Sequence, residues 1–184
     1  MPKLSSRQTD NSEYTKKVKL RVDVINRMQC NPSILECYSG NGLIYDGVRK
    51  LSDKKISVTR IDIKKDREGA YLCGDNRKYL KAMDLSAYNI IDLDAYGIPF
   101  DQIDIIMRRQ WHGILFVTHI QSVMGTLPNK LLNRIGITRP MISKCPTLFS
   151  RLGLTPIKKM FSDYGSDKLT GYFIDRKSYF FVAI

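Results

Sequence analysis

The chain has 184 residues, of which 43% are hydrophobic and 26% are charged, and its formal net charge at neutral pH is +12. This composition predicts one globular domain with a sizeable core, and it excludes a fibrous or intrinsically disordered chain. No apolar run approaches the roughly 18 residues of a membrane span, and the polar N-terminus does not resemble a signal peptide, so we expect a cytoplasmic protein without a membrane partner.

The order of the predicted elements indicates an α/β domain. Residues 1–12 are polar and lack periodicity, which predicts a flexible arm ahead of a single domain over residues 13–184. An amphipathic helix is predicted over Tyr14–Met28. Short apolar runs then alternate with helical patterns, as in a parallel sheet covered by helices on both faces. The predicted strands are Ser33–Cys37, Ile56–Ile63, Tyr71–Cys73, Asn89–Leu93 and Gly113–Thr118, and the helices between them are Leu43–Leu51, Arg77–Met83 and Phe100–Arg109.

Two further β-rich runs, Lys168–Asp175 and Ser178–Ile184, lie close together at the end of the chain. The short connection between them predicts an antiparallel hairpin.

The positive charge is concentrated in the C-terminal part of the chain. Residues 105–184 carry twelve basic and three acidic side chains, whereas residues 31–104 are nearly neutral. Residues 124–162 contain no acidic side chain, and their interleaved apolar residues predict amphipathic helices. A folded surface of this kind suits a nucleic-acid backbone, and the alternative is a solvated face that only maintains solubility. The basic residues of this segment are Lys130, Arg134, Arg139, Lys144, Arg151, Lys158 and Lys159, and the first helix adds Lys16, Lys17, Lys19 and Arg21 as a second contact.

Acidic residues and glycines follow consecutive predicted strands. Because parallel sheets bind ligands at the carboxyl ends of their strands, these residues are candidates for a ligand site. Gly40 and Gly42 follow the first strand, and Asp62 comes about twenty residues later, where a carboxylate can accept both hydroxyls of a ribose. Asp75 and Asn76 follow the third strand and suit the exocyclic amine of adenine. Each acid alone would be a helix cap or surface carboxylate, but together they predict a cofactor cleft.

The spacing of four motifs resembles that of class I S-adenosylmethionine-dependent methyltransferases, from about residue 31 to the C-terminus. The motifs are Glu36-x-x-x-Gly40-x-Gly42, Asp62, Gly74-Asp75 and Asp94-Ala95-Tyr96-Gly97. The resemblance implies a Rossmann-like, seven-stranded, mostly parallel sheet that ends in an antiparallel hairpin, with S-adenosylmethionine as cofactor. It further implies that Glu36, Tyr38, Gly40 and Gly42 surround the methionine end, Asp62 the ribose, and Asp75 and Asn76 the adenine, with Asp92 supporting the cofactor site from one layer deeper.

Within this family, the segment Asp92–Gly97 is similar to the Asp-Pro-Phe/Tyr-Gly segment of enzymes that methylate exocyclic amines of nucleobases, including the tRNA guanine-N2 methyltransferases. The resemblance implies that Asp94 and the Ala95 carbonyl accept the N–H bonds of the target amine and that Tyr96 stacks on the base. Ala95 replaces the usual proline, which keeps the carbonyl but loses the rigidity.

We therefore expect a methyltransferase that acts on a nitrogen of a nucleic-acid base, with tRNA-like RNA favoured over DNA. Two alternatives stay open. One is an enzyme of the same fold that methylates a small molecule or a protein side chain. The other is a non-catalytic module that binds nucleic acid or a partner enzyme.

Other candidate residues carry weaker signals. The four cysteines are widely spaced without a nearby histidine pair, which argues against a metal site and a disulfide framework. His119 follows the fifth strand and is expected to be a surface or capping residue. Trp111 precedes that strand and is expected to pack in the core, and Cys145 lies outside the positions that a covalent mechanism on pyrimidines would use.

Overall fold

A computed structural model describes residues 13–67, 69–120, 127–166, 168–174 and 177–184. The predicted arm, the first three residues of the basic segment and two residues of the hairpin turn lie outside this range. The strands are β1 Ser33–Cys37, β2 Ser57–Asp62, β3 Leu72–Cys73, β4 Ile90–Leu93, β5 Ile114–Ile120, β6 Thr170–Ile174 and β7 Lys177–Ala183. The α-helices are α1 Tyr14–Arg27, α2 Leu43–Leu51, α3 Asn76–Ala82, α4 Phe100–Arg108, α5 Asn129–Arg134, α6 Arg139–Lys144, α7 Leu148–Leu152 and α8 Thr155–Ser162, with a short 3₁₀ helix at Leu85–Ala87.

The seven strands form one sheet in the order β3-β2-β1-β4-β5-β7-β6. β1 to β5 are mutually parallel, and β7 runs antiparallel between β5 and β6. The predicted sheet and its C-terminal hairpin are thus confirmed. Because the strand order reverses between β1 and β4, the carboxyl ends of these two strands flank a crevice.

Both faces of the sheet are covered by helices, as the apolar runs predict. Ile34 and Ile90 point toward α1 and α2, whereas their neighbours Leu35 and Ile91 belong to the core on the opposite face. α3, α4 and the segment from α5 to α8 pack on that second face. Each central strand is therefore buried on both sides, which explains why its sequence is a continuous apolar run.

The observed strand and helix ends differ slightly from the predicted ends. β5 continues to Ile120, two residues beyond the predicted end, because Thr118, His119 and Ile120 pair with β7. The basic segment folds as four short helices, and α8 buries Ile157 and Phe161 in the core. The expectation that this segment folds rather than forming a tail is confirmed over its described residues.

Candidate active site

Two adjoining cavities lie at the carboxyl ends of β1, β2, β3 and β4. The larger has a volume of about 370 Å³, within the usual range for small-molecule sites, and the smaller has about 100 Å³. Four residues line both cavities: Tyr38, Gly40, Asp94 and Tyr96. The sheet therefore brings the residues that follow β1 and β4 together at one cleft, as their order in the sequence predicts.

The loop after β1 depends on backbone conformations that favour glycine. Gly40 and Gly42 have φ angles of 55° and 75°, and Gly42 is the N-cap of α2. A Cβ atom on Gly42 would lie 2.2 Å from the guanidinium carbon of Arg60. Gly40 lines the cleft, whereas Gly42 shapes the loop from behind and lies outside both cavity linings.

Asp62 at the end of β2 is held by the backbone around it. Its Oδ2 accepts a hydrogen bond from the Gly40 N–H at 2.8 Å, and its Oδ1 accepts one from the Lys64 N–H at 2.9 Å. Arg67 Nε lies 3.6 Å from Oδ1. These contacts fix the side chain in the lining of the larger cavity. Each carboxylate oxygen can accept about two hydrogen bonds, so Asp62 retains acceptor capacity there.

Asp75 and Asn76 line the larger cavity, and both are anchored at the start of α3. Asp75 accepts from the Arg77 N–H at 2.9 Å as the helix cap, and its hydrogen bonds to the Arg77 guanidinium lower the pKa of the carboxyl. Asn76 is buried, and its Oδ1 accepts from Gln102 Nε2 at 2.8 Å. Arg77 and Gln102 complete this wall, and no motif in the sequence identified them.

Glu36 lines the smaller cavity and is almost completely buried. Its Oε2 has no hydrogen-bond partner in the described structure and lies 3.4 Å from Arg60 Nε. Burial and the neighbouring Asp92 raise the pKa of Glu36 to about 8, even though Arg60 opposes the shift. The carboxyl is therefore mostly protonated at neutral pH.

Asp92 lies behind the cleft rather than in it. Its two oxygens accept hydrogen bonds from Arg21 Nε at 2.6 Å and Arg21 Nη2 at 2.8 Å, and Tyr45 donates to Oδ2 at 2.7 Å. Asp92 lines neither cavity, so it lies one layer behind the cleft, in the supporting position that the family resemblance implies. The buried guanidinium of α1 holds this carboxylate one layer deeper.

Asp94 lies in the wall between the two cavities and contacts α1. The Lys17 ammonium lies 2.8 Å from Oδ1 and donates to Oδ2 at 3.0 Å, and Thr118 donates to Oδ1. Burial alone would raise the pKa of Asp94, but Arg21, Lys17 and the Thr118 hydrogen bond outweigh burial and lower it. The carboxyl is therefore ionised at neutral pH.

The location of Lys17 and Arg21 corrects their expected role as phosphate contacts. Both side chains are buried on the inner face of α1, where Val18 and Ile25 also pack. The helix predicted from the spacing of the apolar residues is confirmed. Its inner face also carries two cations, because Asp92 and Asp94 lie opposite that face. Tyr96, two residues after Asp94, is 66% exposed at the mouth of the cleft.

The basic segment divides into exposed and internally bound residues. Arg134 stacks on the Tyr164 ring with its guanidinium carbon 4.5 Å from the centroid, and it pairs with Asp104 of α4. Arg139 donates to the Leu127 carbonyl at 2.6 Å. The pairing of Arg134 with Asp104 revises its expected role as a phosphate contact, whereas Arg139 stays exposed beside its bond to the backbone. The exposed basic residues of the segment are Lys130, Arg139, Lys144, Arg151, Lys158 and Lys159.

His119 differs from its expected surface location. It is 1% exposed on β5, and neither ring nitrogen has a hydrogen-bond partner in the described structure. Burial lowers the pKa of the imidazole to about 4. Trp111 is buried as expected and donates to the Tyr88 carbonyl at 3.0 Å.

Within the described ranges, no group of three or more histidine, cysteine or acidic residues is arranged to hold a metal ion. In the same ranges, no helix has both the length and the apolar character needed to cross a bilayer.

Comparison with solved structures identifies the fold. A SAM-dependent methyltransferase from Archaeoglobus fulgidus superposes with a TM-score of 0.55 over 91% of this chain and 92% of its own, at 10% sequence identity. The chain has the fold of class I S-adenosylmethionine-dependent methyltransferases. The ribosomal protein L11 methylase of Lactobacillus delbrueckii subsp. bulgaricus has a TM-score of 0.54 over 95% of this chain and 80% of its own, at 16% identity.

A third methyltransferase structure, the plantazolicin methyltransferase BamL in complex with a triazolic desmethylPZN analog and SAH, has a TM-score of 0.50 over 94% of this chain and 85% of its own, at 9% identity. The sequence matches no protein-family model and no curated protein. Because the named methyltransferases act on different molecules, the shared fold does not identify the acceptor.

Proposed function

We propose that this chain is an S-adenosylmethionine-dependent methyltransferase that acts on a nitrogen of a nucleic-acid base, with RNA favoured over DNA. The proposal depends mainly on one observation. Asp94 and Tyr96 both line the wall shared by the two cavities, one as an ionised carboxylate and the other as an exposed aromatic ring. A carboxylate and an aromatic ring beside a cofactor cleft can orient a flat base in line with a methyl donor.

The residues of the cleft fit the proposed cofactor. The larger cavity can hold a nucleoside, and Asp62 has acceptor capacity left for ribose hydroxyls next to the Gly40 backbone. In the smaller cavity, Glu36 has a buried oxygen without a hydrogen-bond partner, which an ammonium group would satisfy while it shifts the carboxyl toward its ionised form. When bound, the sulfonium supplies the methyl group. Glu36, Tyr38, Asp62 and Asn76 are proposed to hold the cofactor.

The acceptor side of the cleft uses residues after β4 and β5. Asp94 is proposed to accept an N–H of the target base, and the Thr118 hydroxyl keeps the carboxylate oriented toward the cavities. Tyr96 is proposed to stack on the ring, and a duplex target would first have to be flipped out. A bound base would also exclude water from the wall around the buried Ala95.

A nucleic-acid partner is supported by charge. Six basic side chains of the α5 to α8 segment are exposed, and the full chain has a net charge of +12. Each phosphate that such residues neutralise releases counterions, so binding should weaken steeply as salt concentration rises. The preference for RNA comes from the similarity to tRNA methyltransferases noted above.

The test is transfer of a labelled methyl group from S-adenosylmethionine to total RNA and total DNA at low and high salt. We expect labelled RNA, less labelled DNA and a strong decrease at high salt. Asp94→Asn should reduce the rate by about 10²-fold or more, whereas Asp53→Asn, which removes an exposed carboxylate, should not change it.

Other results would favour the alternatives. Label in proteins or small molecules alone, insensitive to salt, would overturn the nucleic-acid target. If no acceptor is labelled, the proposed function is overturned, and calorimetry with the cofactor then distinguishes an enzyme with another kind of acceptor from a non-catalytic module that binds no cofactor.

A further inference from the structure

The contacts of Asp94 limit how many hydrogen bonds its carboxylate can accept from the N–H groups of a substrate. Among the described residues, Oδ1 accepts from Thr118 and contacts the Lys17 ammonium, and Oδ2 accepts from Lys17. With about two acceptor positions on each oxygen, the Thr118 hydrogen bond and the adjacent Lys17 ammonium leave no room at Oδ1, and Oδ2 has one position left. Asp94 can therefore accept one N–H from a substrate without losing Lys17.

Lys17 is a permanent part of this wall rather than a mobile surface residue. It is nine-tenths buried, lines the smaller cavity, and lies over the Tyr179 ring at 5.2 Å. An ammonium has three N–H donors; one bonds to Asp94 Oδ2, and the contact with Oδ1 at 2.8 Å occupies at most a second. The third can reach a substrate atom beside the one that Asp94 contacts.

The charged groups around Asp94 come from four elements. α1 contributes Lys17 and Arg21, β4 contributes Asp92, β1 contributes Glu36, and β7 contributes Lys177. Arg21 is already paired with Asp92. The negative charges next to Asp94 are therefore matched by positive ones. Such a wall would not stabilise the positive charge that a neutral amine gains on methylation.

Two classes of base nitrogen place different demands on such a wall. An exocyclic amine has two N–H bonds and becomes positively charged as it takes a methyl group, so it favours two acceptors and a negative environment. An imide-type ring nitrogen, a term that covers both guanine and uracil here, has one N–H next to one or two carbonyl groups. It loses its proton on methylation, and negative charge develops on the neighbouring carbonyl oxygen.

We propose that Lys17 and Asp94 together select an imide-type ring nitrogen of a nucleobase as the methyl acceptor, such as the ring N–H of a guanine or a uracil. This inference rests on the proposed function and specifies its substrate class. It replaces the exocyclic amine that the family resemblance implies. Tyr96 favours a base over a ribose hydroxyl, because an exposed ring at the mouth of the cleft can stack on a base.

Asp94 and Lys17 together account for the proton and the negative charge that arise during the methyl transfer. The lone pair of the ring nitrogen forms the new bond to the methyl carbon as the carbon–sulfur bond breaks, and the sulfonium leaves as a neutral thioether. The N–H proton passes to Asp94 Oδ2 and then to solvent. Lys17 donates to the carbonyl oxygen of the base while that oxygen carries negative charge, which makes Lys17 a catalytic residue that touches the substrate.

The test uses the full chain, S-adenosylmethionine and total RNA, followed by digestion and chromatographic identification of the methylated nucleoside against standards. A nucleoside methylated on an imide ring nitrogen supports both proposals. Methylation of an exocyclic amine overturns this inference and leaves the proposed function intact. A methylated ribose hydroxyl, or no labelled nucleic acid, overturns the proposed function and this inference with it.

Variants of Lys17 give a second readout. Lys17→Met should lower the transfer rate at pH 7 by about 10²-fold and move the rising limb of the pH–rate profile to higher pH, since the substrate proton becomes harder to remove. Lys17→Arg should restore part of the rate, and Lys50→Met, which removes an exposed lysine of α2, should leave rate and profile unchanged. Cofactor affinity by calorimetry should stay within about threefold in each folded variant. A Lys17→Met enzyme with the wild-type rate and profile would overturn the role of Lys17.

Discussion

Glu36 and Asp92 lie side by side on β1 and β4, and both carboxyl groups are buried, but only Asp92 is fully hydrogen-bonded. Arg21 and Tyr45 satisfy Asp92, whereas Glu36 has Arg60 at 3.4 Å and an oxygen without a hydrogen bond. Two adjacent acids therefore differ in role. Asp92 anchors α1 to the sheet, and Glu36 keeps an oxygen available to the cleft.

Arg21→Met should destabilise the protein strongly. The substitution leaves the Asp92 carboxylate buried without its counter-ion, which costs about 3–5 kcal/mol of unfolding free energy. Urea denaturation measures the change. Arg27→Met, on the exposed end of the same helix, should change stability by less than about 0.5 kcal/mol. Equal effects of the two substitutions would contradict a structural role for the buried pair.

Glu36 should make stability depend on pH. Its pKa rises from an ordinary value of 4.5 to about 8 on folding, because burial and Asp92 disfavour the ionised form. The folded state therefore retains a proton that the unfolded chain has lost, and the unfolding free energy should fall as pH rises from about 4.5 to about 8. Glu36→Gln should flatten this slope, measured by urea denaturation across the range. An unchanged slope in the variant would exclude Glu36 as its origin.

His119 should produce the opposite dependence at lower pH. Burial lowers its pKa from 6.5 to about 4, so the unfolded chain binds the proton more readily than the folded state. The unfolding free energy should therefore fall as pH drops from about 6.5 toward 4. His119→Leu should remove this loss, whereas His112→Leu, at an exposed site, should preserve it. Thermal melting at several pH values provides the comparison.

Gly42→Ala should destabilise the loop after β1. Its φ of 75° costs about 1–2 kcal/mol for a residue with a side chain, and the new Cβ would meet the Arg60 guanidinium. Arg60 also donates to the Gly42 carbonyl at 3.1 Å and to Asp46 at 2.7 Å, so it cannot move away without losing these bonds. Gly165→Ala, where a Cβ meets open space at a comparable φ of 79°, isolates the contribution of crowding. Equal losses would mean that Arg60 adapts freely.

The order of the elements and the position of the cleft could be predicted because both follow from local patterns. Continuous apolar runs such as Ile34-Leu35 indicate strands buried on both faces, and the residues after each run must meet at one edge of a parallel sheet. Gly40, Asp62 and Asp75 were identified in this way. Their side-chain partners were not identified, because Gln102 and Arg67 carry no pattern of their own.

The roles of the cations were harder to predict. Lys17, Arg21 and Arg134 look like surface charges in the sequence, since nothing local indicates a partner far away in the chain. Arg21 and Asp92 are 71 residues apart, and only the packing of α1 on the sheet brings them together. His119 was predicted at the surface because the pairing of the last residues of β5 with β7 depends on a hairpin that lies more than fifty residues later.

The central claim is that the cleft at the ends of β1, β2 and β4 binds S-adenosylmethionine. Calorimetry with the demethylated product S-adenosylhomocysteine tests it most directly, because no acceptor is needed. We expect one site per chain, with affinity reduced at least about tenfold by Asp62→Ala, which removes about 1.4 kcal/mol of binding free energy, and unchanged by Asp66→Ala at an exposed position. The absence of binding at millimolar concentration, or equal binding by wild type and Asp62→Ala, would contradict the claim.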